Sequence, residues 1–581
     1  MLEKLKKGLD GRWLEQMRFT KFEAIFLLSI YAVGLFLRLA PRLAIDSHLL
    51  TFQGDIWYRL AMAQYIFDFK RLPIPDLRYR AYGFVPMWYP PLSPIFFAVL
   101  SKISSLDIPT VSSRLLPFIE ALTPLPIYSL GRYLYDKKVA VTSTIALALT
   151  PSFVFWSGIS DPQSFTLFMI PIMILVWIIH SKLEPNNKRL FIFGLFLGFV
   201  FLVHLSYFLL ILTLLMVTIA LIIEENAKKG LLLDLFICIA ISQILTAPWW
   251  LPNNLYWWWI KALVTSSGLY PVTEQLESYG KMAAIIGGVA IGYILIIELL
   301  SILNWVYEKL TGSEIARKIK TAKKEKHFLL LTLWALPLFI ETQNEVILFK
   351  LNKVAYTWQT LAKPLEGFRF YCFLAQPAAL AIGVLTIGLI GFSSRIYNKE
   401  GGEKIFSLFW IGLVVTAFAV GMSLYNLDVK FQTSGLTIDE YNAALWFRKN
   451  AGPDDRIIAD YYRSQMLGGV SAGKALLGGM FPLRNVDYPY IKAPGSVQND
   501  LYTLYNTSSA PLAHQIARQY NVTHIFYSDN MKNYGNLLSY YKSAAIYGVD
   551  TDREKFDDKM YFEVVYKKPS SYGEVAIIEV K

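Results

Sequence analysis

The chain of 581 residues is 54% hydrophobic and 15% aromatic with only 17% charged, a balance that excludes an ordinary soluble domain. Its net charge of +12 does not mark a nucleic-acid protein. The basic residues gather in short links between apolar runs, where cytoplasmic orientation and anionic lipid account for them. The composition defines a polytopic membrane protein. Met1 to Lys21 is charged and lacks a short apolar core, so no cleaved signal peptide is expected. Cys238 and Cys372 lie in apolar stretches and read as small hydrophobes.

Apolar stretches suited to crossing fall at about 22–40, 113–131, 139–157, 165–181, 189–203, 206–223, 231–248, 281–304, 327–341, 368–393 and 405–424. Basic residues assign their sides. Lys4 to Lys21 precede the first stretch; Arg132, Lys137 and Lys138 follow the second; Lys182, Lys188 and Arg189 follow the fourth. Lys228 and Lys229, the dense run from Lys309 to Lys326, and Arg395, Lys399 and Lys404 complete the series. Every second link is basic, as the positive-inside rule requires. The parity holds when 88–104, which opens on Trp88-Tyr89-Pro90-Pro91, is an interfacial or partly embedded helix.

The resulting expectation is an integral cell-membrane protein with a cytoplasmic N-terminus. An α-helical polytopic domain of about 11–13 spans occupies 1–424 and carries a large external loop at 41–112. An external soluble α/β domain follows at 425–581. Within it, Thr437 to Asn450 and Pro511 to Tyr520 read as helices. Arg456 to Ala459, Val522 to Tyr527 and Gly573 to Val580 read as strands.

Several external acids could carry chemistry. Gly54-Asp55-Ile56-Trp57-Tyr58-Arg59 puts Asp55 at or near a helix start, where a capping role competes with a ligand role. Gly158-Ile159-Ser160-Asp161-Pro162-Gln163 is a turn after the third stretch, and a Ser-Asp-Pro turn is also ordinary loop chemistry. The loop after 248 holds Trp249, Trp250, Trp257, Trp258 and Trp259, which read as an interfacial belt. It continues to Pro271-Val272-Thr273-Glu274, a segment able to fold back on the membrane surface with a carboxylate. Gly367-Phe368-Arg369-Phe370 enters the tenth stretch from outside, where an arginine can snorkel or hold a phosphate.

In order and spacing these segments resemble the catalytic subunit of oligosaccharyltransferase, within the C-type superfamily of polytopic glycosyltransferases. The resemblance covers most of the chain. The Asp55 and Asp161 segments match the family's two acidic motifs, Pro271 to Glu274 matches its flexible-loop motif, and Arg369-Phe370 its donor-phosphate arginine. The resemblance implies that Asp55, Asp161 and Gln163 bind Mg²⁺ or Mn²⁺, although the family usually has an acid or histidine at the last position. It further implies that Asp55 and Glu274 engage the acceptor and that Arg369 binds the phosphate of a polyprenyl-phosphate-linked sugar donor. The family's Trp-Trp-Asp-Tyr-Gly marker, which reads the acceptor hydroxyl, corresponds here to Ile457 to Gln465. Tyr461, Tyr462 and Arg463 take the acceptor-binding positions in the gap-free alignment, and a shifted alignment keeps Asp460-Tyr461.

The resemblance thus implies an inverting glycosyltransferase that moves a glycan from a polyprenyl-(di)phosphate carrier to protein asparagine. One alternative is a polyprenyl-monophosphate-sugar transferase acting on a protein hydroxyl, a lipid or a glycan. A non-enzyme alternative is a transporter or the scaffold of a glycosylation complex. A transporter should show broken spans or a repeated half, and no clear internal repeat is found.

Overall fold

The computed structural model describes residues 20–44, 54–73, 89–158, 162–184, 186–224, 230–251, 327–342, 371–397, 436–452, 454–471, 475–477, 503–531, 553–570 and 572–581, with positions 292, 412 and 500. In chain order the main helices are α1 (Lys21–Ala44), α2 (Gly54–Phe69), α3 (Leu92–Ser104), α4 (Leu125–Leu134) and α5 (Lys137–Leu149). Next come α6 (Pro151–Trp156), α7 (Gln163–Ser181), α8 (Asn187–Val203), α9 (Tyr207–Ile223) and α10 (Leu231–Trp250). The series ends with α11 (Phe328–Thr342), α12 (Tyr371–Tyr397), α13 (Ile438–Asn450), α14 (Tyr461–Ser471) and α15 (Ala510–Gln519). The chain divides into two compact units, one from Met1–Ala40, Pro117–Pro248 and Ser267–Asp428, the other from Pro41–Leu116, Trp249–Ser266 and Val429–Lys581.

The first unit is helical and membrane-suited. Among the described residues, Lys21–Leu39, Gln163–Ser181, Leu231–Trp250 and Tyr371–Ile390 are each long and apolar enough to cross a bilayer. Two expected spans are interrupted, and proline accounts for both breaks. At 139–157, Thr150 is extended (φ −70°, ψ 118°) because the residue before Pro151 is driven out of the helical region. At 113–131, a π-helical turn at Val111–Leu115 and a short helix at Leu116–Glu120 precede α4, which restarts after Pro124. The expected spans at 281–304 and 405–424 lie outside the described residues apart from the single positions 292 and 412.

Burial follows the helical period. On α8, Phe191, Ile192, Leu195, Phe196 and Phe199 are exposed, while Phe193, Leu197, Val200 and Phe201 are buried. The exposed stripe is suited to lipid. Small residues then allow close packing. A Cβ on Gly194 would stand 2.8 Å from the Ile241 Cβ and 3.0 Å from the Cys238 carbonyl, so α8 meets α10 backbone to backbone. Gly383 plays the same part between α12 and α5, where a Cβ would lie 2.8 Å from the Val139 carbonyl. At the start of α1, buried Glu23 accepts from the Tyr128 hydroxyl at 2.6 Å and lies 2.9 Å from Arg132, tying α1 to α4. A paired carboxylate is tolerated there because its charge is matched and hydrogen-bonded.

The second unit contains the sheet. Strands β1 (Ile457–Ala459), β2 (Ala475–Leu477), β3 (His524–Ser528), β4 (Phe562–Ser570) and β5 (Gly573–Val580) are ordered β2-β1-β3-β5-β4. β2, β1 and β3 are parallel, and β5 runs antiparallel to both β3 and β4. The expected α/β pattern is present, with α13 and α15 at the predicted helices. Helix α14, strand β2 and the β4 half of the closing hairpin were not predicted.

This unit also takes in the first loop. Ile56, Trp57, Tyr58, Leu60 and Met62 of α2 are all buried, and Tyr58, Ala61, Met62 and Tyr89 form a core cluster. The Trp57 ring lies on Gly469 of α14, where a Cβ would stand 2.7 Å from Cε3. Farther along α2, Arg448 of α13 donates to Gln64 at 2.9 Å and lies 3.6 Å from Asp68. The linear division at 424/425 groups 41–112 with the spans, whereas by contact 41–116 gathers with 429–581.

Candidate active site

Asp55 is the second residue of α2, so its backbone lies in the first turn, where a carboxylate is favoured by the helix dipole. Its side chain lies outside the described residues, as do those of Tyr461 and Tyr462. Asp161, Glu274 and Arg369 lie wholly outside them. Among the described residues no group of three His, Cys, Asp or Glu side chains is arranged to hold a metal ion.

What the structure does bring together are the flanks of the expected site. Gln163 opens α7, is buried, and donates through Nε2 to Cys372 Sγ at 2.9 Å. One turn on, Gln376 Nε2 donates to the Leu167 carbonyl at 2.6 Å. These two bonds join the start of α7, two residues after Asp161, to the start of α12, two residues after Arg369. The hydrogen bonds are well placed for the job, because a polar pair inside a helical membrane bundle has no water to compete for it. On the other side of Asp161, Gly158 is required sterically. A Cβ there would lie 2.8 Å from the Val154 carbonyl and 3.1 Å from Arg38 Cγ.

In the second unit, the stretch aligned with the acceptor marker forms the start of α14. Asp460 caps that helix by accepting from the Arg463 backbone N–H at 2.9 Å. The Arg463 side chain is fully buried, with Nε 2.6 Å from Glu440 and Nη1 2.5 Å from Asp460. Glu440 also accepts from Ser528 Oγ at 2.7 Å and from the Thr437 backbone N–H at 2.7 Å. Burial alone would lower the Arg463 pKa, but Asp460 and Glu440 together push it above the ordinary arginine value. Arg463, expected to face the acceptor, is therefore held between two carboxylates inside the domain. Its part here is to fix α14 to α13.

Sequence reasoning did not single out Glu440, Gln376 or Gly469. Glu440 had a readable signal, since Thr437 and Glu440 form a capping box before an apolar helix face. Gly469 had none, because its importance comes from Trp57, more than 400 residues earlier.

The fold is a polytopic membrane architecture with a small sheet-containing C-terminal domain. Residues 89–251 match the family described as dolichyl-phosphate-mannose-protein mannosyltransferase. Over 97% of the chain the fold is similar to the archaeal oligosaccharyltransferase AglB from Archaeoglobus fulgidus, solved with an inhibitory peptide and a dolichol-phosphate. That match has a TM-score of 0.59 at 14% identity and covers 74% of AglB. A structure of the A. fulgidus enzyme tethered to an acceptor peptide containing the NVT sequon matches with a TM-score of 0.56. Its identity is 15%, over 96% of this chain and 74% of that one. A third, of the same enzyme with Zn and sulfate, matches at 0.55 and 14%, over 95% and 72%. A search of curated protein sequences finds no match.

Proposed function

We propose that the chain transfers a glycan from a polyprenyl-(di)phosphate carrier to protein asparagine, with inversion at the anomeric carbon. The observation that carries this reading is the extent of the shared fold, which runs through both the spans and the C-terminal domain of an oligosaccharyltransferase. Packing inside the second unit supports it. The helix bearing Asp55 packs on the helix that begins with Tyr461 and Tyr462, which supports giving both a part in engaging the acceptor.

In this reading the acceptor attacks the anomeric carbon, the carbon–oxygen bond to phosphate breaks, and negative charge grows on the leaving oxygen. Arg369 holds that phosphate. Asp55 and Glu274 engage the acceptor amide, or Asp55 takes the proton of a hydroxyl acceptor. A divalent ion, Mg²⁺ or Mn²⁺, held by Asp55, Asp161 and the Gln163 amide oxygen, would add positive charge near the phosphate. Such an oxygen set suits a hard cation. With Arg463 occupied by Glu440 and Asp460, acceptor contact falls to Tyr461 and Tyr462. The active site and C-terminal domain face the outside of the cell membrane, as the basic links require.

A second reading is favoured by the family match over 89–251, whose members are described as protein mannosyltransferases. It has a polyprenyl-monophosphate sugar donating to a protein hydroxyl, a lipid or a glycan. The two separate in one experiment. Purified protein is incubated with cell lipid extract, Mn²⁺, and either an Asn-X-Thr peptide or an asparagine-free serine-rich peptide, and the glycopeptides are read by mass spectrometry. Modification of the sequon peptide at asparagine supports the first reading. Transfer to the serine peptide alone overturns it.

A further inference from the structure

The sequence holds two Asn-X-Ser/Thr patterns without proline at X, Asn506-Thr507-Ser508 and Asn521-Val522-Thr523, and both lie in the sheet-bearing unit. The fold treats them oppositely. Asn506 closes one helical turn, Thr503 to Asn506, and both its amide atoms are shielded from solvent with no hydrogen-bond partner among the described residues. On either side of it, buried Lys555 donates to the Tyr505 carbonyl at 2.5 Å and to the Thr507 carbonyl at 2.7 Å. A glycan on Asn506 has no way out of that packing.

Asn521 is exposed, in the turn between α15 and β3, with φ 52° in the left-handed region that asparagine tolerates better than most residues. A glycan there displaces nothing the domain buries. Its neighbours are nonetheless locked. The Asn521 N–H donates to the Arg518 carbonyl at 3.0 Å, and buried Val522 donates to the Ala517 carbonyl at 2.9 Å. The Thr523 hydroxyl accepts from the Arg456 N–H at 2.8 Å and lies 2.8 Å from His524 Nδ1, while the Thr523 N–H donates to the Arg456 carbonyl at 2.9 Å. An acceptor segment must leave its domain and extend through an active site before its amide is reached. Once β1 and β3 have paired, these bonds oppose that.

We propose that Asn521 is a glycan attachment site, filled by another copy of this enzyme while the tail is still unfolded. The inference rests on the asparagine-transfer reading above. Asn521 Nδ2 bonds to the anomeric carbon of the polyprenyl-linked glycan and loses one proton to a base, while the carbon–oxygen bond breaks and its electron pair stays on the phosphate. A second copy is needed because the chain's own acceptor segment, from Tyr461, follows β1 in a sheet domain that is incomplete until β1 and β3 pair. After folding, the exposed turn keeps its glycan and Asn506 stays bare.

Glycopeptide mass spectrometry on the full chain, purified from the cells that make it, should find a glycan at Asn521 and none at Asn506. The Asp55→Asn chain, made in cells without a wild-type copy, should be bare at both and should gain the Asn521 glycan when the wild-type gene is restored. Purified wild-type enzyme with lipid extract and Mn²⁺ should modify a synthetic peptide spanning Arg518 to Ser528 at least about 100-fold faster than the folded, bare Asp55→Asn chain, because opening of a buried sheet is rare. A bare Asn521 in the wild-type chain, with the peptide modified, overturns the inference and leaves the asparagine reading standing. So does a glycan at Asn506, an Asn521 glycan on the Asp55→Asn chain made alone, or a folded chain modified as fast as the peptide. A peptide left unmodified at asparagine removes both. Should Asp55→Asn fail to fold, occupancy of the wild-type chain decides alone.

Discussion

Replacing Arg463 by methionine keeps most of the side-chain volume and removes the cation facing Glu440 and Asp460. Glu440 is 0% exposed, with oxygens held by Arg463, Ser528 and the Thr437 N–H. Water cannot replace the lost partner. Removing one member of a buried pair costs about 3–5 kcal/mol, a large fraction of a domain's net stability of about 5–15 kcal/mol. Asp460, partly exposed, can recover hydration, so the loss is concentrated at Glu440. The variant Arg463→Met with Glu440→Gln removes both charges while an amide oxygen still serves the Thr437 cap, and it should recover most of the loss. Hydrogen exchange on the full chain reads this directly. Protection at His524–Ser528 and along α14 should fall by about two to three and a half decades in Arg463→Met. Wild-type protection in Arg463→Met would refute the reasoning. So would an equal loss with and without Glu440→Gln, because the two sites must couple if they are partners.

Gly469→Ala places a Cβ 2.7 Å from the Trp57 ring and should destabilise the second unit by about 1–3 kcal/mol, read as loss of protection in α2. In the sheet, burial lowers the His524 pKa, with Asp455 and Glu579 opposing. The folded form then binds fewer protons than the unfolded one. Stability should rise with pH across the window below about 6.5, and His524→Gln should flatten that slope in a melting series. Asp55→Asn and Asp161→Asn should each remove most turnover with melting unchanged, and full wild-type activity in excess chelator would remove the metal from the proposal. Impermeant labelling should reach cysteines placed near Asp161, Glu274 and Asn521 from outside the cell and miss one near Lys320.

The span pattern and the α/β tail were legible because amphipathic period and basic links are local signals. The interruptions at Thr150 and Pro124 were not read, because the apolar run around each masked the proline. Arg463 shows where sequence reading ran out. Its alignment position suggested the acceptor, while its environment is set by Glu440, 23 residues earlier, and by Ser528, on a strand that follows much later. Arg38 comes to lie beside Gly158 through helix packing rather than spacing, so that close approach left no mark in the sequence.

The grip of α13 and α14 on α2 has a consequence for how the protein is made. Roughly 370 residues separate Phe69 from Ile438, and at ordinary elongation rates they take about 20–75 s to synthesise. During that interval α2 has been delivered with Trp57 and Ala61 and without the Gly468–Gly469 surface that packs on them. A chaperone at the translocation site, or the lipid interface itself, has work to do there. Truncation of the tail should leave the first loop, rather than the tail, as the degradation signal.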